Sequence, residues 1–190
     1  MAVLFLPMVL IALLIRISMG SPIFFVQERP GLHGVLFKMY KFRSMTNETD
    51  KDGNHLADGR RLTRLGRFLR SWSLDELPEF FNVLKGEMSL VGPRPQLKEY
   101  YELMNDHQRR RYEVLPGVTG LAQIKGRNGI TWNERFEIDV WYVDHRSLWL
   151  DLKILLLTPY KVLKREGISA PGEVTMSKFR GNIPSVDEEV

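Results

Sequence analysis

The sequence predicts an α+β fold, with a membrane-embedded, kinked N-terminal helix, amphipathic surface helices and a small globular domain with short strands. Residues 1–19 are almost wholly apolar, and two short strand-like runs joined by a turn follow them. The second half alternates helical segments with loops rich in glycine and proline. At 190 residues the chain can bury one sizeable core, so we expect one globular domain after the apolar segment.

The composition favours an anionic partner. The formal net charge is +4, which suits a nucleotide, an acidic membrane surface or nucleic acid. Nucleic acid is the weakest of these candidates, because no known reading motif accompanies the basic residues. The chain has no cysteine, which excludes thiolate catalysis, thiolate zinc sites and disulfides. Its four histidines are scattered without metal-ligand spacing.

The apolar N-terminal segment is interrupted by Pro7 and Arg16. A straight bilayer crossing needs roughly 20 apolar residues, so this segment is marginal. Because a proline inside a helix bends its axis, the sequence favours a helix over residues 1–20 that enters the membrane, kinks near Pro7 and leaves on the same side. A buried core helix is less favoured, since no polar face is left to meet water. Cleavage as a signal peptide is disfavoured, because the charge follows the apolar run.

Two strands are predicted at residues 23–26 and 35–42. The turn between them, at residues 29–34, holds two glycines and a proline, so a hairpin is the simplest arrangement. Basic side chains alternate with apolar ones along the second strand, which suits either anionic headgroups or solvent. The polar residues 46–59 then indicate an exposed loop.

Residues 60–72 predict one basic amphipathic helix. Five arginines lie on its polar side, where they either contact phosphates and membrane headgroups or face solvent. Arg70 differs from the other four because it is the nearest in the chain to the two acids that follow. It could therefore reach a phosphate bound beside those acids.

Asp75 and Glu76 are adjacent carboxylates at the start of a short apolar helix. Apolar residues recur there at i, i+3, i+4 and i+7, and the pattern predicts one buried face. That face consists of Leu77, Phe80, Phe81 and Leu84. Spacing alone favours a capping box, in which Ser73 is the N-cap and Glu76 closes it. The alternative is chemical, because ionised carboxylates at a helix N-terminus can act as a nucleophile or bind a metal ion.

A short strand at residues 88–91 runs into Gly92-Pro93-Arg94-Pro95, where two prolines stiffen the backbone around one guanidinium. Residues 96–111 and 131–167 predict helices. Between them, residues 115–129 combine four glycines with amide and cationic side chains, which suits close approach of a nucleotide or sugar phosphate but matches no known fingerprint. We expect a loose acidic tail at residues 182–190.

Several short motifs occur in one order along the chain. After the apolar helix and its proline they are Gln27-Glu-Arg-Pro-Gly31, Tyr40-Lys-Phe-Arg-Ser-Met45, Ser73-Leu-Asp-Glu-Leu-Pro78, Asn82-Val-Leu-Lys-Gly86, Gly92-Pro-Arg-Pro95, Pro116-Gly-Val-Thr-Gly120 and Gly126-Arg-Asn128. This order resembles the bacterial sugar transferase family of small monotopic polyprenol-phosphate phosphoglycosyl transferases. The resemblance covers about residues 5–181 and implies a catalytic domain over residues 21–181.

The resemblance also implies a role for each matched residue. Asp75 would attack a UDP-sugar, release UMP and carry the phosphosugar covalently until a polyprenol phosphate, such as undecaprenyl phosphate, accepts it. Glu76 would bind Mg²⁺ together with the substrate phosphates. The matched substrate-binding residues are Arg70, Gly92, Pro93, Arg94, Pro95, Arg127, Asn128 and Asp139. Within that set, the first two arginines would contact phosphate, the glycine and prolines would shape a loop, and the last three residues would lie near the nucleotide-sugar.

The implied partners are a UDP-sugar, a polyprenol phosphate and membrane lipid, with no nucleic acid. The implied location is the cytoplasmic face of the bacterial inner membrane, at the first membrane step of surface glycan or exopolysaccharide assembly. In the family the membrane helix bends at a Ser-Pro pair after a basic lead-in. Here Leu6-Pro7 stands in that place and the chain starts almost at the proline, so we expect a start that is shortened or lies upstream.

Two other functions stay open. One is single-step transfer with Asp75 as a base or metal ligand, and the other is a non-catalytic membrane or nucleotide-binding module that uses the arginine-rich helix. The residues do not identify the sugar, because neither composition nor motif spacing reports the side chains around a sugar ring.

Overall fold

A computed structural model describes residues 2–54, 56–126, 129–164 and 178–181. The α-helices are α1 Ala2–Met19, α2 Asp58–Arg61, α3 Arg64–Ser71, α4 Glu79–Leu84, α5 Lys98–Leu103, α6 Asp106–Arg109, α7 Leu121–Lys125, α8 Trp132–His145 and α9 Leu148–Lys164. The strands are β1 Phe24–Pro30, β2 Leu36–Phe42, β3 Ser89–Val91 and β4 Gly117–Thr119, and 3₁₀ turns cover Leu32–Gly34, Leu74–Glu76 and Arg110–Tyr112. These elements confirm the predicted α+β class.

One stripe of α1 packs on the rest of the chain. Met8, Ile11 and Ile15 are buried in a cluster with Phe42 and Leu69, at the i, i+3, i+7 spacing of one helical face. The other faces expose apolar side chains, including Phe5, Leu6, Leu10, Leu13, Leu14 and Ile17.

The predicted bend of α1 and its membrane insertion stay predictions. Pro7 lies within the helix. Among the helices that the structure describes, none combines the length and the hydropathy needed to cross a bilayer.

The predicted hairpin is confirmed. β1 and β2 pair antiparallel, from Phe24 opposite Phe42 to Pro30 opposite Leu36. β1 is longer than predicted because pairing continues up to Pro30. Side chains alternate between the two faces, so Phe37 and Met39 point together into a buried cluster with Met88.

The single helix predicted over residues 60–72 is wrong, because the chain forms two helices there. Thr63 separates α2 from α3, and its hydroxyl accepts a hydrogen bond from the Gly66 backbone N–H at 2.8 Å, as an N-cap does. α3 then packs directly on the segment after β2. A Cβ at Gly66 would overlap the Ser44 carbonyl, so this approach requires glycine.

The predicted buried face of the helix after the acid pair is wrong in its second half, although Leu77 packs on the core. Phe81 is 40% exposed and Leu84 is 66% exposed, whereas Glu79 and Asn82 in the same helix are almost completely buried. α4 therefore turns a polar face inward.

The reason is that α4 packs beside the free edge of β2. Asn82 Oδ1 accepts a hydrogen bond from the Tyr40 backbone N–H at 3.2 Å, and Asn82 Nδ2 donates to the Lys38 carbonyl at 2.7 Å. An apolar side chain could not satisfy these two backbone groups.

β3 and β4 form a short parallel pair, with Ser89 opposite Gly117 and Val91 opposite Thr119. The strand at β3 was predicted, whereas β4 lies in the segment that we expected to be a glycine-rich loop. A Cβ at Gly117 would overlap the Gly92 backbone N, so glycine permits this close approach of the two segments.

Two predicted helices are shorter than expected. Residues 96–111 are divided by Asn105, which starts α6 with a capping box to Gln108. Residues 131–164 are divided into α8 and α9, and the predicted extension to residue 167 lies outside the described residues, as does the tail at 182–190. α8 and α9 pack on the β3 region in a core that includes Val91, Tyr142 and Ile154.

Candidate active site

A cavity of about 880 Å³ lies between the hairpin, α3, the acid pair, the Arg94 loop and the end of α9. Ten basic side chains line it against three acidic ones, so the described walls are suited to an anionic ligand. Asp75, Glu76, Arg70 and Arg94 all border this cavity. The structure thus brings four of the predicted site residues to one cavity, three from residues 70–76 and one from the loop after β3.

The capping box predicted around the acid pair is wrong. Ser73 has a left-handed backbone (φ 54°) and makes no side-chain cap hydrogen bond, and Leu74–Glu76 is a 3₁₀ turn. The Glu76 carboxylate points instead to two cations. Its Oε1 contacts Lys41 Nζ at 2.8 Å, and Arg94 donates to both of its oxygens.

Lys41 and Arg94 determine the protonation state of Glu76. Burial alone would raise the pKa of the Glu76 carboxyl, but the charges and hydrogen bonds of Arg94 and Lys41 outweigh it and hold that pKa well below its usual range. Glu76 is therefore ionised at neutral pH.

Asp75 has a different environment from its neighbour. Its side chain is buried at the cavity wall, and burial followed by the negative charge of Glu76 raises the pKa of the Asp75 carboxyl, against the opposing charges of Lys41, Arg70 and Arg94. Greater basicity makes a carboxylate a better nucleophile, and the surrounding cations can take up charge from a phosphate. The arrangement suits covalent phosphoryl chemistry.

Lys41 and Glu79 extend this network, and sequence reasoning did not single them out as site residues. Lys41 Nζ also lies 3.2 Å from Glu79 Oε1, and Glu79 is only 1% exposed. Burial raises the pKa of Glu79 to about 7. Strand alternation could have placed Lys41 on the inner face of the hairpin with Met39, but nothing in the sequence marks Glu79 as buried.

The loop Gly92–Pro95, which carries Arg94, is held by hydrogen bonds to the backbone of Gly92, Pro93 and Arg94. The Gly92 N–H donates to the Thr119 carbonyl at 2.9 Å, and the Pro93 carbonyl accepts from the Gly117 N–H at 3.1 Å. Arg111 Nη2 donates to the Arg94 carbonyl at 2.6 Å. Gly92, Pro93 and Pro95 do not line the described cavity wall. They form the backbone that presents Arg94.

Asp139 lies behind this loop. Its Oδ2 accepts hydrogen bonds from Arg111 Nε at 3.0 Å and Arg111 Nη2 at 2.8 Å, and both side chains are almost completely buried. Burial raises the pKa of the Asp139 carboxyl, and Arg111 opposes that effect. Asp139 is absent from the described cavity wall, so its predicted substrate contact stays a prediction.

The remaining predicted site residues have different outcomes. Arg70 borders the cavity, and its Nε donates to Ser44 Oγ at 2.9 Å, which fixes the guanidinium beside the acid pair. Arg127 and Asn128 lie outside the described residues.

The carboxylates at the cavity wall are compatible with a magnesium ion that is also bound by the substrate. The described residues contain no group of three His, Cys, Asp or Glu side chains arranged around one ion. Magnesium sites in phosphoryl transfer commonly use one or two carboxylates together with substrate phosphates and water. Glu76 and Asp75 border the cavity and meet that requirement, although Glu76 shares its oxygens with Lys41 and Arg94.

Comparison with known proteins identifies the family. Residues 1–165 match the family described as bacterial sugar transferase. The uncharacterized sugar transferase EpsL of Bacillus subtilis is 57% identical over 88% of this chain and 83% of its own length. The UDP-glucose:undecaprenyl-phosphate glucose-1-phosphate transferase of Xanthomonas campestris is 44% identical over 82% of this chain and 34% of its own length.

A further relative is the undecaprenyl-phosphate galactose phosphotransferase of Salmonella typhimurium, 42% identical over 78% of this chain and 35% of its own length. The chain thus spans most of EpsL but only about a third of these two longer enzymes. The match over residues 1–165, together with these identities, shows that this chain belongs to the bacterial sugar transferase family.

Proposed function

We propose that this protein transfers a phosphosugar from a UDP-sugar to undecaprenyl phosphate and releases UMP. The observation that carries the proposal is the position of Asp75, a buried carboxylate at the wall of a cation-rich cavity beside Arg70 and Arg94. The name of the Xanthomonas relative supports a UDP-sugar donor, and the names of both the Xanthomonas and the Salmonella relatives support undecaprenyl phosphate. Their names differ in the sugar, so the sugar is left open.

The proposed reaction has two displacements at one phosphorus atom. An Asp75 oxygen attacks the β-phosphorus of the UDP-sugar, the bond from that phosphorus to the bridging oxygen breaks, and UMP leaves with the bonding electron pair. An oxygen of undecaprenyl phosphate then attacks the same phosphorus, and the Asp75 carboxylate leaves. The product is the sugar joined to undecaprenol through a diphosphate.

The described side chains supply the electrostatic part of this reaction. Arg94 and Arg70 border the cavity and would contact phosphate oxygens, on which negative charge shifts as the leaving group departs. Lys41 and Arg94 keep Glu76 ionised, and Glu76 would hold Mg²⁺ together with the substrate phosphates. That ion would offset the repulsion between the Asp75 carboxylate and the substrate phosphates.

We also propose that the protein works on the cytoplasmic face of the bacterial inner membrane, in surface glycan or exopolysaccharide assembly. The apolar faces of α1 that are exposed to solvent support contact with lipid. The acceptor class supports the same location, because a polyprenol chain is itself a membrane component.

The deciding experiment measures UMP release from UDP-glucose and UDP-galactose, with undecaprenyl phosphate and Mg²⁺ present. We expect release with at least one donor. Incubation with a donor carrying ³²P in its β-phosphate, before acceptor is added, should label the wild-type protein but not Asp75→Asn.

The outcomes separate the three functions. Labelled protein that loses its label on addition of acceptor supports the two-step route. Transfer without label supports single-step transfer, with Asp75 as a base or metal ligand. Absence of UMP release with every donor tested would leave a non-catalytic membrane or nucleotide-binding module.

A further inference from the structure

Arg29 lies in the cavity wall without a carboxylate partner. It projects from β1 on the same face as Gln27, and both residues border the cavity. Its Nη2 donates to Gln27 Oε1 at 2.7 Å, and its buried Nε has no hydrogen-bond partner. Within the described part of the chain, no Asp or Glu forms an ion pair with Arg29.

Two other arginines of this region form direct ion pairs, which Arg29 does not. Arg94 is paired with Glu76 and Arg111 with Asp139. Burial, and then the charge of Arg94, lower the pKa of Arg29 to about 10, against the opposing charges of Glu79 and Glu99. The guanidinium is therefore still protonated at neutral pH, while its charge is less stable than that of an arginine in water.

A partly buried cation beside another cation is costly unless anions balance it. Gln27 Oε1 is the one described side-chain acceptor that Arg29 contacts, and Glu79 and Glu99 act on it through their charges without an ion pair, whereas the cavity offers room for a ligand. A planar guanidinium with several donors in a fixed geometry matches phosphate oxygens. These observations together indicate that the balancing anion comes from the ligand.

We propose that Arg29 is a phosphate-binding residue of this cavity. The inference rests on the proposed function for the identity of the substrates, which offer two sources of phosphate: the diphosphate of the UDP-sugar and the phosphate of undecaprenyl phosphate. Arg29 would contact substrate directly and add to the contacts of Arg70 and Arg94.

The first test compares Arg29→Gln with Lys98→Gln. Lys98 pairs with Glu28, the neighbour of Arg29, but it does not line the cavity, so its variant removes the same charge without removing a cavity cation. The steady-state KM is measured for the UDP-sugar and for undecaprenyl phosphate in turn. A hydrogen bond to a charged group contributes about 1.5–3 kcal/mol, so we expect the KM for one substrate to rise about 10- to 100-fold in Arg29→Gln only.

The two KM values identify the source of the phosphate. A higher KM for the UDP-sugar assigns Arg29 to the diphosphate, and a higher KM for undecaprenyl phosphate assigns it to the acceptor. Unchanged values for both substrates, equal to those of Lys98→Gln, would overturn the proposal.

A second variant keeps Arg29 in place and therefore tests the proposal even if Arg29→Gln does not fold. Gln27→Glu sets a carboxylate at the position of the amide oxygen that Arg29 already contacts, which supplies the missing anion from the protein itself. We expect folding to be retained and phosphate affinity to fall about tenfold or more. Asn47→Asp is the matched control, because it adds the same charge to the cavity wall beyond the opposite end of the hairpin.

Binding of UDP, measured by calorimetry, gives a readout that does not depend on turnover. A weaker Kd in Gln27→Glu than in Asn47→Asp supports the proposal, as does a weaker Kd for undecaprenyl phosphate in detergent. Equal Kd values for both ligands in the two variants contradict it. If the wild type binds UDP but releases no UMP, the proposed function fails while these Kd values still decide the role of Arg29.

Discussion

Two arginine–carboxylate pairs hold the Arg94 loop, and they differ in their access to the cavity. The pair of Arg94 and Glu76 borders the cavity, with side chains 29% and 18% exposed. The pair of Arg111 and Asp139 is 1% and 3% exposed and holds the backbone of the same loop through the Arg94 carbonyl.

This difference in exposure gives the two ion pairs different roles. A ligand in the cavity can share the hydrogen bonds and charges of Arg94 and Glu76, so this pair can rearrange during a reaction. The core pair cannot meet a ligand without unpacking the protein, so its effect on catalysis is through the position of the loop. We therefore expect variants at the cavity to change activity at nearly constant stability, and variants in the core to change both.

Among variants of residues that border the cavity, we expect Asp75→Asn to have the largest effect. The amide keeps the shape of the side chain but cannot act as an anionic nucleophile, so we expect UMP release to fall by at least about 10³-fold. Urea unfolding should give a stability close to that of the wild type. Wild-type turnover in this variant would exclude Asp75 as the nucleophile.

For the buried pair of Arg111 and Asp139, we expect Asp139→Asn to have the largest effect. It leaves the buried Arg111 cation without an ionic partner, which typically costs about 3–5 kcal/mol. The free energy of unfolding from urea titration measures this loss. The double variant Arg111→Met with Asp139→Leu should recover part of that stability, while the KM and kcat stay impaired because the Arg94 carbonyl has lost its donor. A stability loss below about 1 kcal/mol in Asp139→Asn would contradict the assigned role.

Glu79→Gln tests the buried carboxyl that contacts Lys41 beside the cavity pair. Burial raises the pKa of Glu79 from 4.5 to about 7, so the folded state favours the protonated carboxyl more than the unfolded state does. Its contribution to stability is therefore complete below about pH 4.5 and is lost as the pH rises through 7. Because glutamine cannot ionise, the variant should gain about 2–3 kcal/mol relative to wild type between pH 5 and pH 8. A difference that does not change with pH would show that Glu79 is not buried as a neutral acid.

Among these variants, Lys98→Gln should have the smallest effect, and it serves as a reference for the other variants. Lys98 Nζ lies 3.2 Å from Glu28 Oε2, with both side chains about half exposed. Exposed pairs of this kind contribute about 0–1 kcal/mol, and salt screens them. We expect a change of that size or less in urea unfolding, with unchanged kinetics. A larger loss would show that surface charge on the hairpin supports the cavity.

The sequence predicted the elements whose side chains follow a clear period or a strong turn signal. The hairpin is the main example, because its alternation and its glycine- and proline-containing turn agree. α4 was mispredicted because a six-residue helix offers too few turns for periodicity to identify its buried face, and the backbone edge beside it selected Asn82 and Glu79 instead. Thr63 divided a predicted helix through its side-chain cap, which apolar spacing does not report.

For the candidate site, too, local sequence patterns predicted some residues and missed others. Asp75, Glu76, Arg70 and Arg94 occur in motifs that the family resemblance carried, and the structure brings them to one cavity. The partners that set their charge and position come from distant segments: Lys41 lies in β2, in a motif to which no site role was assigned, and Arg111 follows α6. Pairings over such sequence distances depend on the packing of whole elements, which no local pattern records.

Asn82 has a consequence for the association of one chain with another. A two-stranded hairpin leaves the outer edge of each strand with backbone groups that can pair with a strand from a second molecule. The side-chain amide of Asn82 donates to one such group on β2 and accepts from another, at Lys38 and Tyr40, much as a neighbouring strand would. The same contact that positions α4 therefore closes this stretch of the hairpin edge to intermolecular β-pairing.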